Sequence, residues 1–261
     1  MAVLVAVAAW AAPVGAPDLR FFRIATGSAA STYFPVGAVI ASAISNPPGS
    51  RACELGGSCG VPGLIAVAQT SDGSVANVSA VSKGLVDSGL ATADIVHWAY
   101  TGEGLYFRNR PLKNRRGSAN REPETRQLVV RRGAVIGGIR DLIGKRVSLD
   151  KPASGTRVNA EIVLAAYQVA ASQLKLYEVD PGRASDMIVA GDLDAFFLLA
   201  GYPAAPVIDL ARQNQVDLLP IGGSEAGLIL QRHKFFAKDK IPAGIYEGIG
   251  ATETLSVGAQ W

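Results

Sequence analysis

The sequence predicts an α/β protein of two lobes, and three observations carry that expectation. The chain of 261 residues exceeds the length of about 150 typical of one domain. Two strand, glycine turn and helix units stand far apart, at 21–44 and 145–169. A shorter pattern of helix end, glycine, Leu, acid and apolar run occurs at 86–96 (VDSGLATADIV) and again at 188–197 (IVAGDLDAFF). Such units build parallel sheets covered by helices. Composition agrees, since 49% hydrophobic and 18% charged residues exclude a disordered, collagen-like or coiled-coil chain. Only two histidines and two cysteines are present, which limits metal and triad chemistry from the outset.

Residues 2–12 (AVLVAVAAWAA) form a short apolar run before Pro13, and both Ala9-Trp10-Ala11 and Val14-Gly15-Ala16 fit a signal-cleavage site. Residues 1–19 are therefore expected to be the remnant of a secretory signal whose charged beginning is missing. A buried first strand or helix is the alternative. No stretch reaches the roughly 18 apolar residues that span a bilayer.

The first strong element is 21–26 (FFRIAT), a strand ending at Gly27, followed by a serine-rich turn and an apolar-periodic helix from Tyr33 to Ile44 with Pro35 in its first turn. The free N–H groups of that turn and the hydroxyls of Ser28, Ser31 and Thr32 would form an anion pocket. Cys53 and Cys59 follow, inside a Gly/Pro-rich segment at 47–63 (PPGSRACELGGSCGVPG). In an exported protein they are expected to close a small disulfide loop; a zinc pair is disfavoured because His97 and His233 are distant and no CxxC occurs. The formal GxSxG match at 56–60 lacks the buried strand and following helix of a nucleophile elbow.

Between Tyr106 and Arg132 lie nine basic residues, including Arg108, Lys113, Arg115, Arg126 and Arg132, against Glu122 and Glu124, so this segment carries +7 within a chain of net +3. It matches no nucleic-acid-binding motif and is read as a solvated surface. The second strand–turn–helix unit comprises 145–149 (KRVSL), 150–156 (DKPASGT) and 157–169 (RVNAEIVLAAYQV). Ser154 or Thr156 would cap its helix, and Arg157 sets a permanent positive charge beside the free donors. Neither turn is a Walker A loop or a GxGxxG fingerprint. Two such turns suggest two lobes aiming helix N-termini at one ligand. Lobe one is read as 20–125 with a return over 216–261, and lobe two as 126–215. The crossing strands are expected at 127–131 (QLVVR) and 216–221 (VDLLPI).

Six ordered segments carry a family resemblance: 24–35 (IATGSAASTYFP), the cysteine loop at 47–71, 93–104 (ADIVHWAYTGEG), 147–157 (VSLDKPASGTR), 192–203 (DLDAFFLLAGYP) and 235–246 (FFAKDKIPAGIY). Together they resemble the TAXI family of TRAP transporter solute-binding proteins, over essentially the whole chain after residue 20. The resemblance implies a type II periplasmic-binding-protein fold, with two α/β lobes around a ligand cleft. It implies a periplasmic, monomeric receptor that passes a small organic anion, such as glutamate, glutamine or 2-oxoglutarate, to a TRAP transporter membrane permease. No catalysis, cofactor, metal or nucleic acid is expected.

Within that frame Ser28, Thr32 and Tyr33 would bind from lobe one, and Ser154, Gly155, Thr156 and Arg157 would hold a carboxylate from lobe two. Trp98 and Tyr100 would supply apolar walls, Tyr202 after Gly201 would close the cleft, and His97 would pack beside Trp98. Two departures stand out. Residues 115–124 (RRGSANREPE) are more basic and less apolar than the strand expected there. The chain stops at 255–261 (LSVGAQW), where family members continue into further helices, so the C-terminal part of lobe one is expected to be truncated. The rival readings are a ligand-binding module of a membrane sensor, with the same site, and a serine-dependent hydrolase, which needs a base and an orienting acid beside its serine.

Overall fold

The computed structural model describes residues 18–106, 111–113 and 117–261. Lobe one opens with β1 (Arg20–Ala25), α1 (Tyr33–Ile44), the small pair β2 (Ser45–Asn46) and β3 (Val61–Pro62), and β4 (Leu64–Gln69). It continues with α2 (Ser74–Ser82), the short strands β5 (Ser88–Gly89) and β6 (Ala91–Thr92), and α3 (Ala93–Thr101). β1 is central in a parallel sheet of order β4-β1-β5, with Ile24 opposite both Ala68 and Ser88. α1 turns Tyr33, Gly37 and Ala41 inward at one-turn spacing. Gly37 is required there, because a Cβ would collide with the Thr26 methyl. Asn77 of α2 donates to the Thr26 and Leu90 carbonyls at 2.5 and 2.7 Å, tying the helix to the strand ends.

The chain leaves lobe one along β7 (Asn120–Arg131) and builds lobe two from β8 (Arg146–Ser148), α4 (Gly155–Ala166), β9 (Lys175–Tyr177), α5 (Pro181–Val189) and β10 (Ala195–Ala200). It adds α6 (Ala205–Arg212), β11 (Val216–Leu219), α7 (Gly223–Arg232) and β12 (Phe236–Ile241), and returns along β13 (Thr252–Gln260). These strands form an eight-stranded sheet of order β12-β13-β7-β10-β8-β9, with β11 paired to β7 and β6 to the end of β13. β10 is buried throughout, and its side chains alternate between two cores. Ala195, Phe197 and Leu199 face Val163 and Leu164 of α4 and Ile229 of α7, whereas Phe196 and Leu198 face Ile188 of α5 and Val207 and Leu210 of α6. This two-sided burial explains the uninterrupted apolar run AFFLLA.

Asp194, just before β10, fastens the sheet's interior. It accepts hydrogen bonds from the Arg146 backbone N–H and guanidinium at 2.7–3.1 Å and from Arg131 at 3.0 Å. These bonds, the Arg146 side chain first, hold its carboxyl well below the usual range.

Two α/β lobes joined by antiparallel crossing strands around a cleft constitute the type II periplasmic-binding-protein fold expected from the sequence. Several details differ. Residues 95–96, the apolar run after the acid and expected to be strand, lie in the first turn of α3; Asp94 there suits a helix N-terminus. Residues 216–219 do not cross between lobes but pair with Leu128, Val129, Val130 and Arg131 inside lobe two. The return crossing is β13, whose Ala259 and Gln260 pair with Thr92 and Ala91 of lobe one, so the segment expected to rejoin lobe one at 216 packs with lobe two up to β13. The polar stretch before Arg126 does form strand, and the pairing of β7 with β13 shifts register near Pro123, which lacks the N–H a regular ladder needs.

The solvated-surface reading of the basic segment fails for Arg126, which is 2% exposed. Arg131 and Arg132 pair with Asp194 and Asp217 at 3.0 and 2.8 Å. Arg108, Arg110, Arg115 and Arg116, and the signal remnant up to residue 17, lie outside the described residues. Among the described residues no helix is long and apolar enough to cross a membrane. Cys53 and Cys59 are joined, with Cα atoms 4.7 Å apart. Ser58 sits in that loop between β2 and β3, with no strand-to-helix elbow.

Two measurements check these packing arguments. Thiol labelling of the exported protein under denaturing, non-reducing conditions should find no free thiol; two reactive thiols would contradict the Cys53–Cys59 bond. Asp194→Asn should cost about 2–3 kcal/mol at pH 7, since charge-assisted hydrogen bonds are lost. A depressed native pKa gives stability that is present above the unfolded value and lost as pH falls through the native one. Denaturant unfolding should therefore show the gap between wild type and variant shrinking below about pH 4.

Candidate functional site

Four helices begin at one pocket between the lobes. Thr32 and Tyr33 open α1, Gly73 and Ser74 open α2, Ser154, Gly155 and Thr156 open α4, and Asp180 caps α5; all line the same cavity. Each helix start presents the positive end of a helix dipole; α1, α2 and α4 add free first-turn N–H groups, whereas α5 begins with Pro181 and gives its next two N–H groups to Asp180. The caps differ in a way that matters. Ser154 accepts from the Arg157 N–H at 2.9 Å, and Asp180 accepts from the Gly182 and Arg183 N–H groups. Thr32 and Gly73 provide no side-chain cap, which leaves the N–H groups of Tyr33 and Phe34 in α1 and of Ser74 and Val75 in α2 for a ligand, Pro35 having none and Ala76 being engaged by Ala153. The cavity volume is about 40 Å³, well under the roughly 300–1,000 Å³ common for small-molecule sites, so a solute larger than a water or two fits only with the lobes further apart.

The side-chain charge in the cavity is negative. Asp72, Glu124, Asp150 and Asp180 line it against Lys151, whose ammonium is engaged by Asp72 at 3.0 Å. Glu124 projects from β7, is 4% exposed and accepts from the Thr32 hydroxyl at 2.8 Å. Burial drives its pKa up to about 8 against the opposing hydroxyls of Thr32 and Tyr33. Asp150 is likewise pushed up to about 6 by burial, against hydrogen bonds from the Lys151 N–H and the Ser154 and Thr156 hydroxyls. Its φ of 71° is one that Asp adopts more readily than most residues. The Tyr33 hydroxyl is buried without a well-formed hydrogen bond, and burial, then the Glu124 charge, raises its pKa.

The lobes are closed on one another. The Ala76 N–H of α2 donates to the Ala153 carbonyl at 3.1 Å, Lys151 reaches Asp72, and Asn159 of α4 donates to Asp94 of α3 at 3.1 Å. Arg126 donates to Asn159 and lies 3.8 Å over the Phe236 ring. Burial lowers its pKa to about 10, partly countered by Asp94, so it stays charged at neutral pH. Among the described residues no group of three His, Cys, Asp or Glu is spaced to hold a metal ion.

Six of the ten ligand residues expected from sequence meet at this cavity: Ser28, Thr32, Tyr33, Ser154, Gly155 and Thr156. Four do not. The Arg157 guanidinium turns along the outside of α4 to Glu161, one turn on, at 2.6 Å and to Glu178 at 3.2 Å. Trp98 is a core residue packed with Ile95, Ala99 and Tyr106 and against Val158 and Ile162 of α4. Tyr100 is 45% exposed and lines a separate groove with His97, Phe235 and Trp261. Tyr202 packs on the α5–α6 core. His97 stacks 4.6 Å from Phe235 and lies 3.6 Å from Glu103.

Sequence reasoning missed Ser74, Glu124 and Asp150. The turn 71–74 (SDGS) is itself a helix-start signature, and Glu124 closes the polar stretch that reads as a poor strand. The NMT1-like family matches residues 24–261. Among solved structures, a protein from Bordetella bronchiseptica RB50 aligns with a TM-score of 0.53 at 15% identity over 92% of this chain and 63% of that one. The alkanesulfonate-binding protein SsuA from Xanthomonas axonopodis pv. citri, bound to MOPS, gives 0.48 at 15% identity over 77% and 61%. An ancestral arginine-binding protein bound to arginine gives 0.49 at 16% identity over 92% and 83%. The chain thus spans less than two thirds of the first two. With the family match running from Ile24 through both lobes to Trp261, the chain belongs to the NMT1-like family.

Proposed function

We propose that this chain is a monomeric periplasmic solute receptor. It closes its lobes over a small carboxylate of the glutamate, glutamine or 2-oxoglutarate kind and, as the TAXI resemblance implies, delivers it to a TRAP transporter permease. The observation that supports this reading is the convergence of the α1, α2 and α4 N-termini on one inter-lobe cavity, where first-turn N–H groups remain free. Backbone N–H groups at helix starts are ready-made carboxylate donors, and each charge-assisted hydrogen bond contributes about 1.5–3 kcal/mol. Three of them approach the roughly 8 kcal/mol of a micromolar complex. Closure then excludes water, and the Ala76–Ala153, Lys151–Asp72 and Asn159–Asp94 contacts hold the lobes together.

Binding without turnover fits the cavity better than hydrolysis. Neither His97 nor His233 lines it; His233 packs edge-on 6.1 Å from Trp98. A serine nucleophile would lack the imidazole base that usually activates it.

Calorimetry with L-glutamate, L-glutamine and 2-oxoglutarate tests the proposal; binding by none of them would defeat it. Gly155→Ala provides a sharper check. A Cβ at Gly155 would lie 2.6 Å from the Ser74 hydroxyl across the cleft, while Ala is a better helix former than Gly. The variant should fold at least as well as wild type yet bind the same solute about tenfold more weakly, roughly 1.4 kcal/mol. Arg157→Ala, whose side chain points away from the cavity, should change affinity by less than about threefold, about 0.7 kcal/mol.

A further inference from the structure

We infer that Glu124 selects the solute: its carboxyl group receives a cationic nitrogen, so the favoured ligand carries an ammonium group beside its carboxylate rather than acid groups alone. The inference rests on the receptor reading above and concerns which acid the receptor takes.

Among the described residues, the cavity-lining side chains contribute four carboxylates and one ammonium, with no guanidinium. Three carboxylates already have donors. Asp72 holds Lys151 at 3.0 Å, Asp180 caps α5, and Asp150 accepts from the Lys151 N–H at 2.8 Å. Glu124 has only the Thr32 hydroxyl as a hydrogen-bond donor of good geometry. The neighbouring cation on its strand, Arg126, is drawn away to Asn159, Phe236 and Asp94. Beside Glu124, Tyr33 lines the same cavity, only 8% exposed, and among the described residues its hydroxyl has no hydrogen bond of good geometry although Glu124 and Ser74 are near it. A buried polar atom left unpaired beside a carboxyl group marks a place where a ligand group belongs.

Among the described residues, the groups facing Glu124 are Thr32 and Tyr33 from α1, Asp94 from α3 and Glu122 on its own strand. None brings a positive charge. In the closed cleft the carboxyl is consequently mostly protonated at pH 7, its pKa raised by burial to about 8. A second ligand carboxylate at this end would meet the Asp94 and Glu122 charges that already act on Glu124. An ammonium group instead favours the ionised carboxyl, and the O–H bond of Glu124 breaks as the ion pair forms. The carboxylate keeps the electron pair, the ammonium keeps its protons, and one proton leaves to solvent.

The test is titration calorimetry at pH 7 in phosphate and in Tris, buffers of different ionisation enthalpy, with four probes: L-glutamate, L-glutamine, 2-oxoglutarate and glutarate. The expected result is that the two amino acids bind at least tenfold more tightly than the two that lack nitrogen. The amino acids should also release a large fraction of one proton, whereas the nitrogen-free acids release none. Glu124→Gln keeps an acceptor for Thr32 and should lose that preference and the proton release.

The variant's melting temperature supplies a second readout. A carboxyl whose native pKa is raised destabilises the fold increasingly as pH climbs from its ordinary value toward the native one, so Glu124→Gln should stabilise the empty protein more at pH 8 than at pH 5. Equal affinities for glutarate and L-glutamate in wild type, or an amino-acid preference unchanged in Glu124→Gln, would overturn the role of Glu124 and leave the receptor reading standing. Failure of all four probes to bind would overturn both. The wild-type comparison does not depend on the variant folding.

Discussion

The hydrogen-bonded ladder along β7 is the constraint on which the rest of the molecule depends. One edge is shared by β13 at the lobe-one end and β11 at the lobe-two end, and β10 covers the other edge. β7 is therefore crossing strand, sheet interior and cavity floor at once. The period of two along a strand then distributes its side chains. Leu128 and Val130 enter the core under α4 and α7, and Val129 enters the core under α5 and α6. Gln127 accepts from the Tyr246 hydroxyl at 2.7 Å, and Glu124 reaches the cavity. A shift in register would move all of these together, so the site is as well fixed as the core.

A buried Arg, Asp and Asn network sits beside that strand, and its energetics are two-sided. Withdrawing Arg126 and Asp94 from water costs several kcal/mol per ion, and pairing offsets this only in part. The Arg126 Nε and Nη1 and the Asp94 Oδ1 find no hydrogen-bond partner, so the network is not there for stability alone. Its members come from three places: Asp94 from lobe one, Asn159 from lobe two and Arg126 from the crossing strand. They meet across the junction of the two lobes. A polar network with exacting geometry penalises other inter-lobe angles more steeply than the apolar contact of Trp98 with Val158 and Ile162 does.

Local chemistry was legible in the sequence, and long-range pairing was not. β1, α1 and the α4 helix start are written in short runs of apolar periodicity, glycine and cap residues, and the structure has each of them. So is the Cys53–Cys59 loop. Whether 216–219 or 252–260 carries the chain back to lobe one depends on partners more than a hundred residues away, and both segments read as strands. Arg157 illustrates a different limit. A cation at the third position of a helix looks like an anion ligand, but which face it takes is decided by Glu161 and Glu178, and only the fold shows that. Glu124 was hidden because an acid in a strand reads as a defect of the strand until the cavity beneath it is known.

In the proposed receptor the helix N-termini serve as the anion site, and the cavity's charge pattern suits that use. Backbone N–H groups bring positive potential without a desolvated side-chain cation and without the rotamer entropy that Arg or Lys loses on binding. A guanidinium opposite a carboxylate would hold any acid of the right size, whereas donors alone leave discrimination to whatever else lines the wall. Here that lining is acidic, and water is excluded as the lobes meet, so each uncompensated charge weighs more than it would in solvent. In the proposed receptor, affinity for the carboxylate and selectivity for the rest of the solute are thus carried by different parts of the chain. The first would belong to the starts of α1, α2 and α4, drawn from both lobes, and the second to a side chain on the strand that joins them.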